Sequence, residues 1–285
     1  MIVLFIGDVI GKPGRKALAG LLPGLVKEFG VDLVIANGEN AAGGIGITPE
    51  TADDLLRAGV HVITTGNHIW KKKEMVPFMA QAELVLRPAN YPACNPGKGW
   101  VVVTAKNGAS AAVLNLEGKI FLNHASNPFD TVEALVPMLK EKTPILIVDI
   151  HAEATSEKKA LGWFLDGRAT AVLGTHTHVQ TADDRILPGG TAYITDVGMT
   201  GPINSVIGVE TDKILQRFVT GLPQTFDVAS GPVEMNAVVF EADDKTGRAL
   251  SLVRLTRSMD FPTKGDKKDA EPGYRVQGCG LKKGK

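Results

Sequence analysis

The chain has 285 residues, 44% of them hydrophobic, enough to bury a sizeable core in one large domain or two smaller ones, and one is favoured. Thirty-one basic side chains balance thirty-one acidic ones, so net charge gives no drive toward a polyanion or a membrane surface, and any affinity for phosphate must be local. Two cysteines, Cys94 and Cys279, lie far apart in Pro/Gly-rich surroundings, which argues against a disulfide scaffold and thiolate metal ligation and for a reducing compartment.

The opening run Met1 to Ile6 has no basic leader and is too short for a signal core, and no apolar run reaches the roughly 18 residues of a membrane span. A soluble, cytoplasmic protein is the expectation. In chain order, Ile2 to Ile6 reads as strand, Arg15 to Phe29 as helix, Val31 to Ala36 as strand, Glu50 to Ala58 as helix and Val60 to Thr64 as strand. Such alternation predicts parallel strand pairs. Thr48 before Pro49 is suited to start the second helix, since its hydroxyl can cap free N–H groups and proline tolerates the first turn. The middle reads differently: Leu84 to Arg87, Trp100 to Lys106 and Ala111 to Leu116 are strand-like, with a hairpin signal at Asn107-Gly108. A helix over Pro128 to Lys140, a strand over Ile145 to Ile150, a helix over Ala160 to Leu165 and a strand over Ala169 to Leu173 follow. Glu234 to Glu241 and Leu250 to Leu255 flank a last hairpin at Asp243 to Gly247. Residues 1–262 are expected to form a single domain, and 263–285 a polar basic tail with seven Lys/Arg against three Asp/Glu and little to bury.

Six segments gather the residues able to bind a transition metal: Gly7-Asp8, Asn37-Gly38-Glu39-Asn40, Gly66-Asn67-His68, Asp149-Ile150-His151, Gly174-Thr175-His176-Thr177-His178 and Thr195-Asp196. Each follows an apolar run, and the carboxyl ends of strands in an open α/β sheet are where ligands collect. His176 and His178 would share a face if strand geometry persisted. Asp8 or Glu39 alone would read as a turn or cap residue. Together with Asn67 and the histidines they form a sulfur-free N/O set suited to manganese, iron or zinc, larger than one tetrahedral ion needs. Two metals bridged by a carboxylate satisfy it, the arrangement used in phosphoryl chemistry. An amidohydrolase barrel also uses a His-X-His pair, but directly after its first strand, where this chain carries Asp8.

The order Gly-Asp, Gly-Glu-Asn, Gly-Asn-His, isolated His and Gly-Thr-His-Thr-His resembles the calcineurin-like metallophosphoesterases. Closer still is the bacterial YmdB-like family, through Phe-Ile-Gly-Asp-Val-Ile-Gly-Lys-Pro-Gly-Arg, Ile-Ala-Asn-Gly-Glu-Asn-Ala-Ala, Thr-Gly-Asn-His-Ile-Trp, His-Ala-Glu-Ala-Thr-Ser-Glu-Lys, Gly-Thr-His-Thr-His-Val-Gln-Thr-Ala-Asp and Ala-Tyr-Ile-Thr-Asp-Val-Gly-Met-Thr-Gly-Pro. The resemblance implies an α/β fold, a four-layer α/β/β/α sandwich of two mixed sheets flanked by helices. Where the superfamily's Asp-X-His would place histidine, this chain has Ile10, and the YmdB-like pattern implies Asn40 as the substitute ligand. One metal would take Asp8, Glu39, Asn40 and His178, the other Glu39, Asn67, His151 and His176. Amide in place of imidazole favours iron or manganese over zinc, as two divalent or mixed-valence ions.

The implied activity is hydrolysis of small cyclic nucleotides such as 2′,3′-cyclic AMP, by attack of a metal-bridging hydroxide on phosphorus with His68 protonating the leaving oxygen. Competing readings are a phosphomonoesterase or RNA-end phosphatase on the same metal core, and a non-enzymatic regulatory module binding RNA or protein. No membrane or DNA partner is expected; the family resemblance allows a homo-oligomer, and the basic tail allows RNA. Lys71, Lys72 and Lys73 read as a solvated face, His61 and His124 as surface or hydrogen-bonded residues, and Gly43 to Gly46 as a tight turn.

Overall fold

The computed structural model describes residues 1–122 and 125–260. His124, Cys279 and the expected tail at 263–285 lie outside the described residues. The β-branched and aliphatic runs of the N-terminal half become strands β1 (Ile2–Ile6), β2 (Asp8–Val9), β3 (Leu33–Asn37) and β4 (Val62–Thr64), separated by helices α1 (Gly11–Phe29) and α2 (Pro49–Arg57). Thr48 caps α2 reciprocally with Thr51, each side chain accepting the other's backbone N–H. A short helix, α3 (Met75–Met79), precedes the hairpin of β5 (Trp100–Thr104) and β6 (Ser110–Glu117), whose turn places Gly108 at φ 86°. Then come α4 (Pro128–Lys142), β7 (Ile145–His151), α5 (Thr155–Phe164), β8 (Ala171–Thr175), β9 (Arg185–Ile186) and β10 (Ala192–Ile194). The last elements are β11 (Met199–Pro202), α6 (Thr211–Thr220), β12 (Val233–Ala242) and β13 (Ala249–Met259).

Among the described residues, seven strands make one sheet in the order β2-β11-β12-β1-β3-β4 with β13 beside β12, and six make another in the order β5-β6-β7-β8-β10-β9. In the first, β1, β3 and β4 run parallel while β12 returns antiparallel to β1. In the second, β6, β7, β8 and β10 run parallel.

Alternation along each strand sorts the side chains into layers. Val3, Phe5, Ile35 and Phe240 of the first sheet meet Val113, Ile147, Leu173 and Ile194 of the second. Leu4, Ile6 and Val34 point the other way, beneath Leu18 and Leu22 of α1 and Leu55 of α2. Leu114 and Val148 pack on the outer face of the second sheet against Val132 and Leu139 of α4 and Leu161 of α5. The result is the expected four-layer α/β/β/α sandwich.

Four differences from the sequence reading have local causes. Leu84 to Arg87 forms no strand; Val85 and Leu86 make single bridges to Ile63 and Lys98. Helix α5 starts at Thr155, earlier than Ala160, because its polar first turn interrupts the apolar period. Helix α6 buries only Ile214 and exposes Leu215, Phe218 and Val219, so it carries no inward apolar stripe to read. β2 and β11 pair over two residues each, too short for periodicity to register.

Candidate metal centre

The parallel strands of the two sheets deliver their carboxyl-terminal residues to one place. β1 leads into Asp8, β3 into Glu39 and Asn40, β4 into Asn67 and His68, β7 ends on His151, and β8 leads into His176 and His178. Asp8, Glu39, Asn40 and His151 are buried, while the side chains of His176 and His178 keep 17% and 11% of their surface exposed and His68 keeps 24%, which places those three on the solvent side. Gly66 is required here, because a Cβ at that position would lie 2.0 Å from the His151 ring.

His151 is the hub. Its Nε2 lies 3.2 Å from Glu39 Oε2, 3.1 Å from Asn67 Oδ1 and 3.0 Å from His176 Nδ1. Its Nδ1 faces Thr175 Oγ1 at 2.9 Å, and that hydroxyl donates onward to Asp149 Oδ1 at 2.8 Å. Thr175 therefore has a lone pair left to accept a proton from His151 Nδ1, which leaves Nε2 as the nitrogen that faces Glu39, Asn67 and His176. His178 follows the same logic: its Nδ1 lies 3.0 Å from the Ile207 carbonyl, which only accepts, so Nε2 is the free nitrogen, 3.8 Å from Asp8 Oδ1 and 3.3 Å from Asn40 Nδ2. Asp8 Oδ1 is buried without a hydrogen-bond partner. A carboxylate oxygen left bare, beside several acceptors converging on one imidazole nitrogen, is a donor set that calls for positive charge.

The electrostatics point the same way. Burial alone would lower His151, yet Glu39, then Asp8 and Asp149, raise it to about 9, so the surrounding carboxylates favour positive charge where the acceptors converge. Burial would raise Glu39, but contact with His151 and His68 holds it well below the ordinary carboxylate value. Burial and the neighbouring His151 charge push His176 down to about 3, which favours the neutral ring. Burial raises Asp8 despite His178 and His151 nearby. Glu39, His151 and His176 lie close enough for one ligand atom of each to hold a single ion.

Every one of Asp8, Glu39, Asn40, Asn67, His68, His151, His176 and His178 is thus in this cluster. The two histidines of His-Thr-His do not share a strand face. β8 ends at Thr175, and His176 and His178 take positive φ values of 102° and 65°, sending one ring to His151 and the other toward Asp8. Left-handed backbone at non-glycine residues costs of order 1–3 kcal/mol each and persists where surrounding contacts over-determine it. Asp196 turns away from the centre: its carboxylate accepts from Lys158 Nζ, Thr177 and Gly198 N. Thr175 and Asn37, which donates to Asp149 Oδ2 at 3.2 Å, support the site but carry no metal-ligand signature in sequence. His61 accepts from Val34 N, and Gly43, Gly44 and Gly46 all have positive φ, both in line with expectation.

Comparison with known proteins places this geometry. The chain is 49% identical over 255 residues to a 2′,3′-cyclic-nucleotide 2′-phosphodiesterase of Bacillus subtilis (strain 168), spanning 90% of this chain and 96% of that protein. It superimposes on the crystal structure of a hypothetical protein from Thermus thermophilus with a TM-score of 0.84 and 44% identity, over 92% of this chain and all of the other. A novel phosphatase of Mycoplasma pneumoniae matches with a TM-score of 0.86 and 37% identity, over 92% of this chain and 95% of that one. The family model described as YmdB-like protein matches residues 4–255, the stretch that supplies both sheets and all the clustered side chains, so the chain belongs to the YmdB-like family of metallophosphoesterases.

Proposed function

We propose that this protein is a dinuclear metal-dependent phosphodiesterase that hydrolyses small cyclic nucleotides of the 2′,3′-cyclic AMP type. The observation that carries the reading is the convergence of Glu39, Asn67 and His176 on His151 Nε2 beside the bare Asp8 Oδ1. Membership of a phosphoesterase family implies divalent metal ions. One ion would be held by Asp8, Glu39, Asn40 and His178, the other by Glu39, Asn67, His151 and His176. Glu39 is suited to serve both, since Oε1 lies 3.1 Å from Asn40 Nδ2 while Oε2 lies 3.2 Å from His151. Asn40 would ligate through its amide oxygen, which meets His68 Nδ1 at 2.7 Å. With Ile10 where a histidine would stand and no sulfur among the donors, iron or manganese fits better than zinc. Because both sheets contribute donors, the reading takes residues 1–262 as one domain.

When bound, the ions supply Lewis-acid charge neutralisation at the phosphate oxygens and lower the pKa of water. The chain supplies the rest. His68 is anchored through Nδ1 by Asn40 and by Glu39 Oε1 at 3.0 Å, while its Nε2 has no hydrogen-bond partner among the described residues. Because Nδ1 donates to these acceptors, it is the doubly protonated ring whose Nε2 proton would pass to the ribose oxygen as the phosphorus–oxygen bond breaks, leaving a nucleoside monophosphate. The similarity to a cyclic-nucleotide phosphodiesterase supports this substrate class.

Turnover of 2′,3′-cyclic AMP, a linear dinucleotide and a nucleoside monophosphate by one manganese-loaded sample tests the reading. The cyclic diester is expected to lead in kcat/KM by about tenfold or more, a transition-state preference of ~1.4 kcal/mol. Preference for the monophosphate would instead favour the phosphatase reading, which the Mycoplasma pneumoniae relative represents.

A further inference from the structure

Lys158 is among the largest wholly buried side chains, and hydrolysis does not use it. It stands near the start of α5, and its Nζ meets Asp196 Oδ2 at 2.7 Å with both side chains fully enclosed. Gly174 makes room for it: a Cβ there would lie 3.0 Å from Lys158 Cδ and only 1.7 Å from the Thr195 carbonyl oxygen. A buried ion pair is a poor device for stability alone, since apolar side chains of similar volume often serve as well or better.

What the pair holds gives it a purpose. Asp196 Oδ2 also accepts from Thr177 N at 3.0 Å and Thr177 Oγ1 at 2.7 Å, and Oδ1 accepts from Gly198 N at 2.8 Å. Thr177 sits between His176 and His178, both of which take positive φ. On the other side, His176 N donates to Asp8 Oδ2 at 3.1 Å. Consecutive backbone N–H groups are thus gripped by two different carboxylates, one belonging to the metal centre and one withheld from it.

We propose that Lys158 and Asp196 form a positioning pair that holds the His176-Thr177-His178 segment in its ligand-presenting conformation. Lys158 compensates and orients the buried Asp196 carboxylate, and Asp196 clamps Thr177. The two imidazoles are thereby aimed in different directions, His176 at His151 and His178 at Asp8. This rests on the reading that His176 and His178 are metal ligands.

The full chain tests it in four forms: wild type, Thr177→Val, the double variant Lys158→Met/Asp196→Asn, and His176→Ala. Each is loaded with manganese, and three quantities are read: the rate of metal loss to excess EDTA, the melting temperature of the metal-free protein, and kcat and KM separately. Thr177→Val keeps the ion pair and the volume, so it remains informative even if the double variant folds poorly. We expect it to melt within about 4 °C of wild type, to release manganese roughly 10–100-fold faster, and to lose kcat with little change in KM. Wild-type retention by both clamp variants, while His176→Ala loses metal, would overturn the positioning role and leave the ligand assignment standing. A lowered metal-free melting temperature without faster metal loss would likewise reduce the pair to a core contact. Wild-type retention by His176→Ala would remove the ligand reading itself, and the pair's role with it.

Discussion

Replacing His68 with alanine is expected to reduce turnover of 2′,3′-cyclic AMP by about 10²–10⁴-fold, the range that a positioned general acid contributes, while metal content stays at the wild-type level. The geometry separates the two properties. The His68 ring is held by Asn40 and Glu39 through Nδ1 alone, its backbone N donates to Glu39 Oε2 at 3.2 Å, and its Nε2 has no hydrogen-bond partner among the described residues. Removing the ring deletes a proton donor and leaves every proposed ligand in place. A leaving-group comparison isolates that role: a nitrophenyl diester, whose phenolate departs without protonation, should lose far less in the variant than the ribose substrate does. An equal fall on both substrates would mean that His68 orients the site and does not donate the proton. Loss of metal in His68→Ala would mean that its grip on Asn40 matters more than its free nitrogen.

Glu39→Gln is expected to exceed the roughly 10–100-fold loss typical of an outer partner, and to leave the protein with no more than about one ion per chain. The carboxylate faces both proposed ligand sets, Oε1 on the Asn40 side and Oε2 on the His151 side, so a neutral amide at this position weakens both at once. The metal-free protein gives an independent reading through pH. His151 is raised from an ordinary value near 6.5 to about 9, so its contribution to stability is fully present below pH 6.5 and lost as pH climbs toward 9. Glu39 is lowered, so its contribution is present above about pH 4.5 and lost as pH falls through its folded value. Chemical denaturation of metal-free wild type and Glu39→Gln should therefore differ most between about pH 4.5 and 6.5 and converge near pH 9. A difference that grows from pH 6.5 to 9 would contradict the pairing of Glu39 with His151.

Much of this centre is legible in the sequence because each proposed ligand follows an apolar run, and a parallel sheet carries such residues to one edge. His151 stands out as the polar end of Ile-Leu-Ile-Val-Asp-Ile, and β7 ends on it. Asn40 enters the proposed ligand set only through the family resemblance; physically it is one more polar residue in a turn, and Ile10 marks only a departure from the superfamily pattern. The directions of His176 and His178 were not legible, since a strand continued through Thr-His-Thr-His would put both on one face, and the chain leaves strand geometry at Thr175. Nor were the supports. Thr175 lies past the expected strand Ala169 to Leu173 and Lys158 ahead of the expected helix Ala160 to Leu165, neither residue type signals burial beside a carboxylate, and Asp196 lies 38 residues beyond Lys158, outside any local period. Parallel strand pairing is legible from the alternation of strand and helix, whereas α6 and the two-residue pairings of β2 and β9 are set by tertiary contact.

The central claim is that two metal ions sit among the donors gathered around His151 and Glu39. Elemental analysis of protein purified without chelator, referred to accurate chain concentration, tests it most directly. The account predicts close to two ions of iron or manganese per chain, removed by EDTA together with activity on 2′,3′-cyclic AMP and restored with it by manganese. Full turnover by protein that holds no metal, or a saturated content of a single ion in the active protein, would contradict it.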